Sequence, residues 1–410
     1  MLSDSCSIGR AAPFAALLLS ACATVPALDP APQVAPVHAY AAGQTLAGAS
    51  APWPELDWWH GYRDPQLDAL IAEGLAGSPD LAAAEARLRQ AEGYARQAGA
   101  ARLPSVDLNG SVAATKQSYN NGIPAAFVPR GWNDTGRVSA DLGFDLDLWG
   151  RNRAGFAAAR SDAEAARLDA AQASLTLSTN IADAYADLSR LFAARAVEVT
   201  ALDIRQQTEQ LTADRVAAGL DTQAELKQAQ SAVPAARAEI AATDEQIALT
   251  RNRLAALLGQ GPDRGLTIAE PAVAIAPRGL PAGVTTDLIA RRPDVLAALA
   301  RVEAEAARVK VARADFYPSL SLSAVLGFQS FGLDNLLRGG STFGSAGPAV
   351  NLPIFRGGQL QGQYRVARGR LRPHGHRRLS GGGRRGGQSA RAGGAAARTA
   401  GGAGRCHRRV

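Results

Sequence analysis

Apolar and polar residues alternate without a break over residues 138–148. Val138, Ala140, Leu142, Phe144, Leu146 and Leu148 share one side, and Ser139, Asp141, Gly143, Asp145 and Asp147 share the other. A period of two predicts a β-strand. Its length is about what a tilted membrane strand needs, and Trp149, directly after it, suits an aromatic girdle at a membrane interface. Two environments fit. In a soluble sandwich the apolar side meets a core and the aspartates meet water. In a membrane barrel the apolar side meets lipid and the aspartates line a wet lumen.

Elsewhere the period is helical. Helical patterning begins near Pro65, and residues 156–218 contain neither Gly nor Pro. A helix of that length extends roughly 95 Å at about 1.5 Å per residue. Leu177, Ile181, Ala184, Leu188 and Leu191 recur at helical spacing, followed by Val197, Ile204 and Leu211. Gly219 supplies a helix stop, and Asp221 or Thr222 can cap the next helix. There Leu226, Val233, Ile240, Ile247 and Leu254 fall seven apart, a coiled-coil pattern in which Pro234 predicts a local kink. That helix is expected to end at Leu258.

The chain also repeats itself at an offset of 214 residues. Pro79-Asp80-Leu81 opens one copy and Pro293-Asp294-Val295 the other. Ala83, Ala84, Ala86, Arg87, Ala98, Ala100, Pro104 and Ser105 match Ala297, Ala298, Ala300, Arg301, Ala312, Ala314, Pro318 and Ser319. Each copy reads as a helix ended by proline, a strand, a loop and a returning strand. Proline suits that junction, since it stops a helix and can open a strand. Two such hairpins provide four strands, too few to close a barrel alone.

Composition narrows the class. Of 410 residues 47% are hydrophobic but only 5% aromatic, with abundant alanine, which points to long packed helices. The net charge of +7 is local. Residues 369–410 hold eleven arginines and no lysine or acid, and the remainder carries 33 basic against 37 acidic residues. This Gly/Arg tail cannot bury enough surface to fold and is expected to be disordered. It lacks the interleaved aromatics of a base-stacking surface, so no nucleic-acid partner is expected. Three cysteines, Cys6, Cys22 and Cys406, predict neither a structural disulfide nor a metal site. Outside the tail the histidines are His38 and His60, and no GxSxG, HExxH or phosphate-binding glycine loop occurs. No enzyme activity, cofactor or metal is expected.

At the start, residues 14–21 form a short apolar run that reads as a signal-peptide core. Leu19-Ser20-Ala21-Cys22 resembles a bacterial lipoprotein box, which implies lipidation of Cys22 and, with Ala23 after it, export to the outer membrane. The Pro/Ala-rich stretch that follows reads as a tether.

The stretches "WWHGYRDPQLDALIAEGL", "LPSVDLNGS", "FDLDLWGRNR", "RVAAGLDTQAELKQAQ", "LAALLGQGP" and "RRPDVLAALARVEAEAARVKVARADFYPSLSLSAVLGF", in this order, resemble the TolC-like outer-membrane efflux proteins, in particular their lipid-anchored NodT-type members. The resemblance implies an α+β, mostly helical fold with two structural repeats. Four strands per protomer join a twelve-stranded transmembrane β-barrel in a homotrimer, continued by a periplasmic α-helical barrel. The domain map is then a signal peptide (1–21), a tether (22–52), the efflux-protein body (53–368, with repeats 65–258 and 285–368, the second incomplete) and the tail (369–410). The implied function is a passive outer-membrane channel for drugs or other solutes, supplied by an inner-membrane pump and a periplasmic adaptor (membrane fusion) protein. Asp141, Asp145 and Asp147 are then expected to face the lumen, and the opposite side to face outer-membrane lipid. Gly219, Leu220, Asp221 and Thr222 match the family's helix-tip motif and are expected to meet the partners. The family pattern implies a second long helical hairpin where the tail stands, so the tail reads as out-of-frame translation. The alternative reading is a periplasmic coiled-coil adaptor or structural lipoprotein without membrane strands.

Overall fold

The computed structural model describes residues 50, 51, 53, 55, 57–120, 122–272, 280, 281 and 291–371. The signal peptide, Cys22, nearly all of the tether and residues 372–410 lie outside the described residues. Besides short 3-10 turns, the described strands and α-helices, in chain order, are β1 (Ser50–Ala51), α1 (Pro65–Gly77), α2 (Pro79–Ala100), β2 (Ser105–Thr115), β3 (Asn133–Asp145), α3 (Arg151–Ala217), α4 (Gln223–Leu257), α5 (Asp263–Leu266), β4 (Leu280–Pro281), α6 (Pro293–Ala314), β5 (Ser319–Phe331), β6 (Thr342–Asn351) and α7 (residues 359–371). The last three residues of α7, 369–371, were expected to belong to the tail; they continue the helix begun by "QLQGQYRVAR". The chain divides into two compact units, one with Arg89–Ala166 and the residues from Val295 on, the other with Val37–Leu88 and Arg167–Asp294.

In the first unit β2, β3, β5 and β6 form one antiparallel sheet in that order. Beside it Phe316 and Tyr364 meet edge to face at 6.1 Å and pack with Ala312 and Leu360, which fastens α7 to the end of α6. Arg308 on α6 bridges Asp162 on α3 and Glu305 on its own helix. Burial pushes the Asp162 carboxyl above the usual carboxylate range, against the pull of Arg308.

The second unit is held by an apolar core of Leu67, Leu70 and Ile71 from α1, Ile181, Ala184, Tyr185 and Leu188 from α3, and Ile247, Leu254 and Leu258 from α4 and its end. Ile181, Ala184 and Leu188 were expected from helical spacing, as were Leu177 and Leu191, which pack against this core partly buried; Tyr185 was not. Of the seven-residue series on α4, Val233, Ile247 and Leu254 are buried, and Leu226 and Ile240 are half-buried. α4 runs through Pro234 as one helix. Val197, Ile204 and Leu211 do not join this packing. Val197 is 70% exposed, and the other two are more than half exposed. Past Phe192 the polar residues on α3 meet α4 instead: Arg195 pairs with Asp244 at 2.5 Å, Arg205 with Glu239 at 3.2 Å, and Thr243 donates to Glu198 at 3.0 Å. α3 thus carries two stripes beyond Phe192, and the ionic one faces its partner.

Asp64 ties the entry of α1 to this core. One carboxylate oxygen accepts the Gln66 and Leu67 N–H groups, and the other accepts the Tyr185 hydroxyl at 2.8 Å and the Ala272 N–H at 3.2 Å. Gln66 donates to the Tyr185 oxygen at 2.8 Å. Burial pushes the Tyr185 phenol above its ordinary pKa. The folded chain therefore keeps a proton that the unfolded chain releases near pH 10, so stability falls as pH rises past that value. Tyr185→Phe is expected to cost about 1–3 kcal/mol at neutral pH and to flatten the loss above about pH 10. Thermal unfolding across pH 7–11 checks both.

Candidate functional site

The register of the sheet sorts its residues into two faces. Rows such as Val106–Leu142–Ala324–Ala346 and Leu108–Ala140–Leu326–Gly344 lie on one face, together with Val112, Val138, Phe144, Leu320, Leu322, Phe328 and Val350. Rows such as Asn109–Ser139–Gly327–Phe343 and Asp107–Asp141–Val325–Ser345 lie on the other, with Ser105, Ser111, Thr115, Thr135, Arg137, Asp145, Ser319, Ser321, Ser323 and Gln329. The first face is almost wholly apolar and the second predominantly polar. Leu333 and Leu336 reach this face at Gly136, near the hairpin loop, but among the described residues no element covers its middle: Leu108 is 79% and Leu326 69% exposed. The edges are open too. Among the described residues β2 pairs only with β3, and β6 only with β5. An isolated sheet with an open apolar face and two unpaired edges is not stable in water. Among the described residues no helix is long and apolar enough to cross a membrane.

Asp141 and Asp145 sit on the polar face as expected. Asp141 accepts hydrogen bonds from the Asn109 amide and the Ser139 hydroxyl, and it lies directly opposite Asp107, which the sequence did not single out. Asp147 differs from expectation. β3 begins at Asn133 and ends at Asp145, so Asp147 is not a strand residue. Its φ is 43°, and its two carboxylate oxygens accept the N–H groups of Asn152 and Arg153 at 2.8 and 2.9 Å. It caps α3, where the unpaired amides and the helix dipole favour an anion. Asp145 shares in this junction, accepting the Asp147 N–H at 3.0 Å and the Asn152 amide at 3.1 Å. Trp149 stacks on Tyr317 at 4.8 Å and donates to the Pro318 carbonyl at 2.6 Å. The two aromatics thus sit together where the strands meet the helices.

The helix tip is a compact turn. The Leu220 N–H reaches the Arg215 carbonyl at 2.8 Å and the Gly219 N–H the Val216 carbonyl at 3.0 Å. This is a Schellman ending, which needs the left-handed φ of 75° at Gly219. Thr222 and Glu225 then form a reciprocal capping box for α4. Arg215, missed in the sequence, grips both Asp221 carboxylate oxygens at 2.6 and 3.1 Å. Its six-residue separation from Asp221 matches no helical spacing, and only the turn brings the two together. Leu220 projects from the turn, mostly exposed. Among the described residues no cluster of three or more potential metal ligands occurs.

Comparison with known proteins agrees with this geometry. The outer membrane efflux protein family model matches residues 70–260 and 284–374. The fusaric acid resistance protein FusA of Burkholderia cepacia is 38% identical over 373 residues, which is 88% of this chain and 69% of the relative. The multidrug resistance outer membrane protein MdtP of Escherichia coli K12 is 33% identical over 326 residues, 76% of this chain and 65% of that protein. The chain thus spans about two-thirds of the length of these relatives. Among solved structures, the outer membrane protein VceC of Vibrio cholerae superimposes with a TM-score of 0.76 at 41% identity, covering 81% of this chain and 79% of that one. The outer-membrane channel OprN gives 0.74 at 26% identity, covering 90% and 80%. The chain belongs to the outer membrane efflux protein family, and its place is the outer membrane.

Proposed function

We propose that three copies of this chain close a twelve-stranded barrel that conducts solutes passively out of the cell. The observation that carries this reading is the four-stranded sheet with one open apolar face, one polar face and two unpaired edges. The strands alternate in direction, so β6 of one copy can pair antiparallel with β2 of the next, and three copies complete a ring without an edge. The apolar face then meets lipid, and Asp107, Asp141 and Asp145 line water. The uncovered Val197, Ile204 and Leu211 stripe is a second surface suited to a neighbouring copy. The matched helices α2 and α6, both 22 residues long and starting at the paired prolines, support the reading as two repeats. A coiled-coil adaptor without membrane strands leaves the sheet unexplained.

The relatives are named for fusaric acid resistance, multidrug resistance and pyoverdine export, so small organic solutes are the proposed cargo. A periplasmic adaptor and an inner-membrane pump are the proposed partners, with the turn at Gly219, Leu220, Asp221 and Thr222 as their contact. Expression in a strain lacking its own outer-membrane efflux component, with its pump and adaptor intact, should restore resistance to exported compounds. Unchanged sensitivity despite normal amounts of protein in the outer membrane would count against the reading. Asp221→Asn, which releases Arg215, is expected to leave helix content unchanged while weakening site-specific cross-linking of the tip to the adaptor. Equal cross-linking in both proteins would remove the Arg215–Asp221 clamp from the partner contact.

Cys22 is the proposed lipidation site. Several acyl chains anchor stably where one is marginal. Mass spectrometry of the mature N-terminus should show an acylated Cys22. An unmodified terminus at another residue would refute this.

A further inference from the structure

On the polar face of the sheet one cation is held in a fixed position. The Arg137 guanidinium lies over the Phe343 ring, 4.6 Å from its centroid. Arg137 stands on β3 and Phe343 on β6, with β5 between them. The residue of β5 in the row of Phe343 is Gly327, which has no side chain to block the reach from one strand to the other. Arg137 pairs with Ser111 on one side and Gln329 on the other, toward the hairpin loops. Asp107 and Asp141, directly opposite each other, lie on the same face toward the helices. Arg137 and Asp141 are four residues apart on one strand, roughly 13 Å at 3.3 Å per residue. That exceeds the Debye length of about 8 Å at physiological ionic strength, so the two ends present charges of opposite sign to a passing ion. Arginine stays charged at any physiological pH, and stacking on an aromatic ring limits its movement.

We infer that Arg137, braced on Phe343, is a charge-selecting residue at the hairpin end of the duct, opposing the carboxylates of Asp107 and Asp141 at the helix end. The inference rests on the channel reading above, with the polar face lining water. Closure by three copies sets three Arg137 cations around the outer mouth and six carboxylates deeper inside. The outer ring retards cations and draws small organic anions forward, and the two rings together make the conductance depend on the direction of current.

The test is the reversal potential in a planar bilayer of neutral phosphatidylcholine under a potassium chloride gradient, with the full chain and its variants. Arg137→Gln should raise the cation-to-anion permeability ratio severalfold and reduce the current asymmetry. Phe343→Leu, which keeps the charge and removes its brace, should shift the ratio less in the same direction. Asp141→Asn should shift it the opposite way. An unchanged ratio in Arg137→Gln, with the expected shift in Asp141→Asn, overturns the role of Arg137 and leaves the duct standing. The duct reading itself falls if the unaltered chain gives no conductance. It falls equally if neither substitution, nor a charged thiol reagent on Ser111→Cys, alters the current. Should Arg137→Gln fail to assemble, Phe343→Leu decides: no shift there overturns the proposal.

Discussion

Leu326→Arg is expected to cost the assembled protein about 2–4 kcal/mol, the range for arginine at the midplane of a barrel's lipid face. Leu326 lies in the middle of β5, in the row of Leu108, Ala140 and Gly344, and among the described residues it is left mostly exposed. Phe144 shares its face but stands one residue from the end of β3. Phe144→Arg therefore falls near the interface, where the same change costs only about 0–1 kcal/mol. The measurement is the amount of heat-modifiable oligomer extracted from outer membranes. Leu326→Arg should leave little of it, while Phe144→Arg should resemble the unaltered protein. Asp145→Asn, on the polar face, should assemble normally. Normal assembly of Leu326→Arg would mean that this face does not meet lipid.

Gly327→Val should be at least as damaging, for a different reason. A Cβ at this position would lie 2.1 Å from the Val138 carbonyl oxygen and 2.7 Å from the Ser139 Cα. Both are backbone atoms of β3, so no side chain can turn aside to make room. Overpacking of a tight site costs about 1–3 kcal/mol, occasionally more, and relief here requires the strands to separate. The β3–β5 pairing joins the two hairpins, so its loss splits the sheet in half. Gly110→Ala is the control, since a Cβ there meets nothing within 4 Å. Folded yield and protease resistance should collapse for Gly327→Val and hold for Gly110→Ala. Full assembly of Gly327→Val would show that β3 and β5 do not pair as closely as described.

Much of this architecture could be read from the residues alone. The alternation at 138–145 marked a strand, because successive strand side chains must point to opposite sides. The long run without Gly or Pro marked α3, and Gly219 marked its end, because a left-handed turn is easiest without a Cβ. The series from Leu226 to Leu254 marked the buried side of α4. The matched prolines at 79 and 293 marked two equal helices, each followed by a strand.

Other features were out of reach. Asp147 continued the strand's alternation in sequence, yet it caps α3, since a helix with unpaired amides stood within reach of its carboxylate. Val197, Ile204 and Leu211 kept an apolar spacing, yet the ionic stripe beside them faces α4. Periodicity shows that residues share a side, and it does not say which side a distant segment will cover. Arg215 with Asp221, Asp107 opposite Asp141, and Arg137 over Phe343 are brought together by a turn angle, a register and a missing Cβ. The sequence by itself determined the elements and the polarity of their faces, because these depend on neighbours a few residues away. Only the tertiary structure decided which side chains meet, because strand register and helix packing join residues as far apart as Arg137 and Phe343, and shifting a strand by one residue would turn every one of its side chains to the other face.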